Sequence, residues 1–173
     1  MDEEKQKILK TRALDLAKEP PREDDDTEYL EIAEFHLAAE MYGIETRYIR
    51  EVYSLKDFIP LPCTPPFVVG IINVRGKILS VLDIKQFFEL ADQGLSDKNK
   101  VIVLFNDTME FGILADEIKG VRTIRSQEIQ AGLPTLTDIR LEYLLGVTKD
   151  RLVILDGNKL LTDKNILIYE EVL

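Results

Sequence analysis

The sequence predicts a mostly β protein: two five-stranded barrels packed around a shared core, with a short helix at each end. Three observations carry this. From Tyr29 onward the apolar residues come in short runs rich in β-branched and aromatic types, separated by Gly, Pro, Asn and Asp turns. The second half of the chain repeats the spacing of the first. Each half holds only about five such runs, too few to bury a good core alone, so two units must share one.

The repeat is legible residue by residue. Tyr42-Gly43-Ile44 is followed by Ile49 and Val52, and Phe111-Gly112-Ile113 is followed at the same offsets by Ile118 and Val121. Phe35 and Met41 have rough counterparts in Phe105 and Met109. Phe67-x-x-Gly70-Ile71 matches Tyr143-x-x-Gly146-Val147, and each leads into an apolar strand that ends in an aspartate, Asp83 or Asp156. The second copy has a shorter turn, Lys149-Asp150-Arg151, and a longer insert at residues 123–140. Internal similarity at long period signals duplicated structural units.

The elements follow in order. Leu9, Ala13, Leu16 and Ala17 lie on one face of an amphipathic helix within residues 3–18, which Pro20 and Pro21 stop. The charged run at 22–28 reads as a solvated linker, so residues 1–28 form a helical arm and acidic linker. That arm packs on the body, docks a partner or is a disordered tail. Ile32, Phe35 and Leu37 mark the first strand, residues 41–44 the second, and Tyr48 to Tyr53 the third. Four prolines between Pro60 and Pro66 make a loop. Residues 67–72 and 77–84 read as strands joined by a turn at Arg75-Gly76, and Asp83 with Gln86 resembles a capping box for a short helix at 84–90. The polar stretch 92–99 divides the halves. The first barrel then spans about 29–91, the second about 100–162, and a closing helix about 163–173.

Composition narrows the function. The chain has 173 residues, 22 Lys plus Arg against 32 Asp plus Glu, and a net charge of −10. Nucleic acid and anionic membrane surfaces are poor partners for that balance. The one cysteine, Cys63, excludes an intrachain disulfide and fits a cytoplasmic setting. The one histidine, His36, excludes a Cys/His zinc cluster. The acidic start lacks the apolar region of a secretion signal, and no apolar run approaches the ~20 residues of a membrane helix.

Catalytic motifs are missing. There is no P-loop, GxGxxG, GxSxG or HExxH. His36 reads as a surface or capped residue, Cys63 as a plain loop residue, and Asp24-Asp25-Asp26 as a solvated run. No cofactor or metal is expected. What remains is a pair of opposite charges in apolar surroundings, Glu51 between Ile49 and Val52, and Arg75 at the turn after Val74. Such charges are solvated edge residues that discourage edge pairing, or halves of a partly buried pair that shapes a binding surface.

The blocks Met41-Tyr42-Gly43-Ile44 with Ile49-Arg50-Glu51-Val52, Ile59-Pro60-Leu61-Pro62 with Pro65 to Gly76, and Lys77 to Ile84 resemble the CheW-like chemotaxis adaptors. The resemblance covers Tyr29 to about Leu161. It implies SH3-like barrels and a non-catalytic scaffold that couples the cytoplasmic tips of chemoreceptors to the regulatory domain of a CheA-type histidine kinase. It implies kinase contact at Ile49 and Glu51, a coupling-competent surface geometry at Gly70 and Arg75, and receptor contact at Val121. Ser80 stands where the family has proline, and Lys85 where it has arginine. From these positions Ile49 is expected on an exposed apolar patch. Glu51 and Arg75 are expected to pair across neighbouring strands. Val121 is either core or part of a groove at the seam between barrels, with Lys119 and Arg122 at its rim. The alternative is a small cytosolic enzyme or another scaffold.

Overall fold

The protein is described by a computed structural model covering residues 3–6, 27–90, 98–131, 141–164 and 166. Residues 3–6 are helical, as are 164 and 166; residues 1–2 and 7–26 of the expected N-terminal arm and linker, and 165 and 167–173 of the expected closing helix, lie outside the described residues.

Among the described residues ten strands make up two sheets: β1 (Tyr29–Leu37), β2 (Glu40–Glu45), β3 (Ile49–Ser54), β4 (Val68–Val74), β5 (Lys77–Leu82), β6 (Lys100–Phe105), β7 (Glu110–Ala115), β8 (Glu117–Arg125), β9 (Leu144–Val147) and β10 (Val153–Leu155). Two short helices, α1 (Ile84–Phe87) and α2 (Gly157–Thr162), follow β5 and β10. Each begins at an aspartate: Asp83 accepts from the Lys85 amide and Asp156 from the Lys159 amide, both at 3.0 Å.

The strand orders are β3-β6-β7-β5-β4 and β8-β1-β2-β10-β9. These sheets correct the sequential division into barrels at 29–91 and 100–162. Each sheet takes the opening hairpin of one half and the closing three strands of the other. The junctions are parallel pairs, β2 with β10 and β7 with β5. The two orders superimpose when β1, β2, β3, β4 and β5 are exchanged for β6, β7, β8, β9 and β10. The duplication is therefore real, but its units are intertwined. Ile44 and Ile113, expected at equivalent places, hold the same position in β2 and β7 and are both fully buried in the shared core.

The exchange explains the unbroken apolar runs. In β6, Val101 and Val103 point into one barrel while Ile102 and Leu104 point into the shared core. A strand covered on both faces reads as continuous hydrophobicity rather than as alternation. The shared core draws on both sheets, with Phe35, Tyr42, Phe111 and Leu155 among its members. Among the described residues the interior of the other barrel holds Ile32, Ile124, Leu152 and Ile154.

Each sheet closes on itself at its edges. Past β3, Ile59 bridges to Ile71 of β4 with two 2.9 Å hydrogen bonds. Past β8, Gln130 bridges to Val147 of β9 in the same way. Both closures need glycine. Gly70 has φ +154° and Gly146 has φ +152°, and a Cβ at either would run into the carbonyl of the bridging residue, Ile59 or Gln130.

Candidate protein-binding surfaces

β3 and β8 are the equivalent edge strands, each paired on one side only, with β6 and β1. Both present a valine to solvent: Val52 is 46% exposed and Val121 is 58% exposed. Val121 is therefore not core. It stands opposite Ala33 of β1. Ile49 departs from expectation. It is half-buried and packs against the shared core, because it begins β3 directly at the crossover from the other sheet. The ladder slips between Ile49 and Glu51, and Val52 takes the exposed position.

Glu51 and Arg75 do meet, with Oε2 3.3 Å from Nη2. They do not sit on adjacent strands: the pair spans the barrel closure from β3 to the β4–β5 turn. Arg75 takes the left-handed conformation with φ 52°, and the Asn73 side chain accepts from the Gly76 amide at 2.9 Å to hold that turn. Arg75 is 81% exposed and Glu51 only 22%, so the anion is the fixed partner.

The second barrel carries a strand-to-turn ion pair of the opposite sense, set one residue after its exposed valine rather than one before it. Arg122 of β8 donates to Asp150 of the β9–β10 turn at 2.8 Å, and its Nε lies 2.6 Å from Glu34. The hydrogen bond from Arg122, then that from the Thr148 hydroxyl, lowers the Asp150 carboxyl to about 2. The bond to Asp150 raises Arg122 in turn. Lys119 pairs with Glu117 at 3.1 Å. Both cations expected at the rim of Val121 are thus engaged within the chain. Sequence reasoning singled out Glu51 and Arg75 but missed Arg122 with Asp150. The signal was present, because the repeat sets Lys149-Asp150-Arg151 against the turn of Arg75.

Beside each pair the barrel wall opens. One cavity of about 170 Å³ is lined by Tyr53, Leu55, Ile72 and Val101. Its counterpart, of about 460 Å³, is lined by Arg122, Arg125, Glu128, Lys149 and Asp150. The openings match in place and differ in chemistry. On a third surface Glu110 of β7 gathers Arg50 at 3.0 Å and Lys77, while the Arg50 guanidinium lies 4.4 Å above the Phe105 ring.

Two closed barrels, intertwined about a shared core, are matched over residues 31–165 by the family model of the CheW-like domain. The chain belongs to the CheW-like domain family. Among curated proteins it is 28% identical over 146 residues to the "Chemotaxis protein CheW" of Treponema pallidum, covering 80% of this chain and 86% of that protein. It is 30% identical over 143 residues to the "Chemotaxis protein CheW" of Klebsiella aerogenes, covering 80% and 85%. Among solved structures it is similar to the scaffolding protein TtCheW from Thermoanaerobacter tengcongensis, with a TM-score of 0.67 and 30% identity over 74% of this chain and 89% of that one. In this CheW-like chain no helix among the described residues is long and apolar enough to cross a membrane.

Proposed function

We propose that this CheW-like chain is a non-catalytic chemotaxis adaptor that couples chemoreceptors to a CheA-type histidine kinase in the cytoplasm. The observation that carries the reading is the pair of exposed edge-strand valines, one on each barrel, beside ion pairs of opposite sense. An adaptor needs two distinguishable surfaces, and a duplicated fold with inverted charges supplies them. The kinase regulatory domain binds at the β3 edge, where Glu51, Arg75 and Gly70 define the shape and Val52 supplies the apolar contact. Ile49 supports that edge from beneath. The helical receptor tip binds along β8 at Val121. Binding strength comes from such apolar anchors, and the flanking charges set orientation.

Val121→Lys tests the assignment. It is expected to weaken binding of a soluble receptor-tip fragment at least tenfold and to leave binding of the kinase regulatory domain unchanged, with the circular dichroism spectrum of the parent. Loss of both partners, or of neither, removes Val121 from a receptor-specific surface.

A further inference from the structure

The chain crosses between sheets at two equivalent places, and the two crossings are built differently. From β2 to β3 it passes through a 3-10 turn, Thr46–Tyr48. There the Tyr48 ring fills the space where Gly157 of α2 would carry a side chain, and the Arg47 guanidinium caps that ring at 4.8 Å. From β7 to β8 the chain passes through a single residue, Asp116. Its Oδ2 accepts from the Ala38 amide at 2.7 Å, in the β1–β2 turn. Its Oδ1 accepts from Lys85 Nζ at 2.8 Å and from Asn99 Nδ2 at 3.2 Å. Lys85 belongs to α1, after β5, and Asn99 leads into β6. One carboxylate oxygen therefore grips each barrel. The Asp116 amide adds a bond to the His36 carbonyl at 2.9 Å.

Lys85 is 1% exposed and Asn99 is 2% exposed. An ammonium group so deeply buried loses its hydration, and a single counter-ion returns little net stability. What a hydrogen-bonded pair supplies and the hydrophobic effect does not is direction, because apolar burial by itself is non-directional. We propose that Lys85 and Asp116 are positioning residues that fix the angle between the two barrels, and with it the relation between the β3 and β8 edges. This holds whichever partners those edges bind.

Pulsed electron spin resonance on the full chain tests it without any partner. Cys63, which is exposed, is replaced by serine, and spin labels are placed at cysteines substituted for Ile78 of β5 and Thr123 of β8, both exposed and in different sheets. The parent is expected to give one narrow distance distribution. Lys85→Met, which keeps the bulk and removes the charge, is expected to at least double its width. Ile102→Val, a fully buried change in β6, serves as a control that lowers Tm without touching the crossover and is expected to leave the width alone. A parental width in Lys85→Met overturns the proposal, as does equal broadening in the control. Should Lys85→Met not fold, Asp116→Asn takes its place under the same criteria.

Discussion

The two barrel edges share a backbone and differ in chemistry. At the β3 edge an anion on the strand, Glu51, meets a cation on the turn, Arg75. At the β8 edge a cation on the strand, Arg122, meets an anion on the turn, Asp150. Each closure is sealed by a bridge over a glycine, and each carries an exposed valine. The difference shows what duplication leaves free to vary. Closure geometry is imposed by backbone contact, which tolerates no side chain at Gly70 or Gly146. Each flanking pair has a solvent-exposed partner on its turn, Arg75 or Asp150, contributes little to stability and so diverges at small cost. The strand charges stand on opposite sides of the valine, Glu51 before Val52 and Arg122 after Val121, so a partner complementary to one edge meets a different charge pattern on the other.

The two glycine closures, where the edges agree, carry the most stability. Gly70→Ala and Gly146→Ala should each cost about 2–4 kcal/mol, from the strained φ and the loss of the closing bridge. Chemical denaturation of both variants measures it. If one is tolerated and the other is not, the closures are not equivalent. The next effect separates two residues on one strand. Ile49→Asp puts a carboxylate against the shared core and should cost about 2–3 kcal/mol. Val52→Asp, three residues on and in solvent, should fall within about 0.5 kcal/mol of the parent. Thermal melts of the two variants check the order; an equal loss would mean that the exposed position has been misassigned.

These contrasts also show how far the sequence could be read. The repeat located Tyr42 with Phe111 and Gly70 with Gly146, because side-chain spacing along a strand survives duplication. It did not reveal that the hairpins are exchanged. Nothing in the spacing distinguishes a strand that pairs within its own half from one that pairs across, since both bury the same residues. The doubly covered strands were a partial signal: Val101-Ile102-Val103-Leu104 lacks the alternation of a sheet with one wet face. The pairing of Glu51 with Arg75 was accessible from two unmatched charges in apolar segments. The pairing of Lys85 with Asp116 was not, because each looks in sequence like an ordinary charge beside a turn, and only the crossover brings them together. Ile49 was misjudged for a related reason. Its alternation with Arg50 is regular, but the crossover turns the start of β3 toward the shared core.

A smaller effect sharpens the charge inversion. A double-mutant cycle on Glu51→Gln and Arg75→Gln should give a coupling of about 0–1 kcal/mol in stability, as an exposed pair allows. On kinase binding the proposed role predicts a larger coupling than on stability. Equal couplings, read by denaturation and by calorimetry, would reduce the pair to a solvated edge feature.

The smallest effect is the pH dependence of the opposite pair. Asp150 is lowered from an ordinary 3.8 to about 2 when folded, chiefly through its hydrogen bond from Arg122. A carboxyl depressed by folding binds its proton less readily in the native state than in the unfolded chain. Its contribution is therefore fully present above pH 3.8 and is lost as the pH falls from there toward 2. The Asp150 side chain is 60% exposed, so solvent holds that contribution to about 1 kcal/mol or less. Urea midpoints of the parent and of Asp150→Asn should accordingly differ at pH 5 and converge as acid is added, over the window between about 4 and 2. Arg122→Gln should likewise differ from the parent at pH 5 and converge with it over the same window, because it removes the donor to Asp150. A gap between parent and Asp150→Asn that stays constant into acid would show that the β9–β10 turn is held by something other than this charge. The inversion would then be a feature of the sequence without a counterpart in the energetics of the edge.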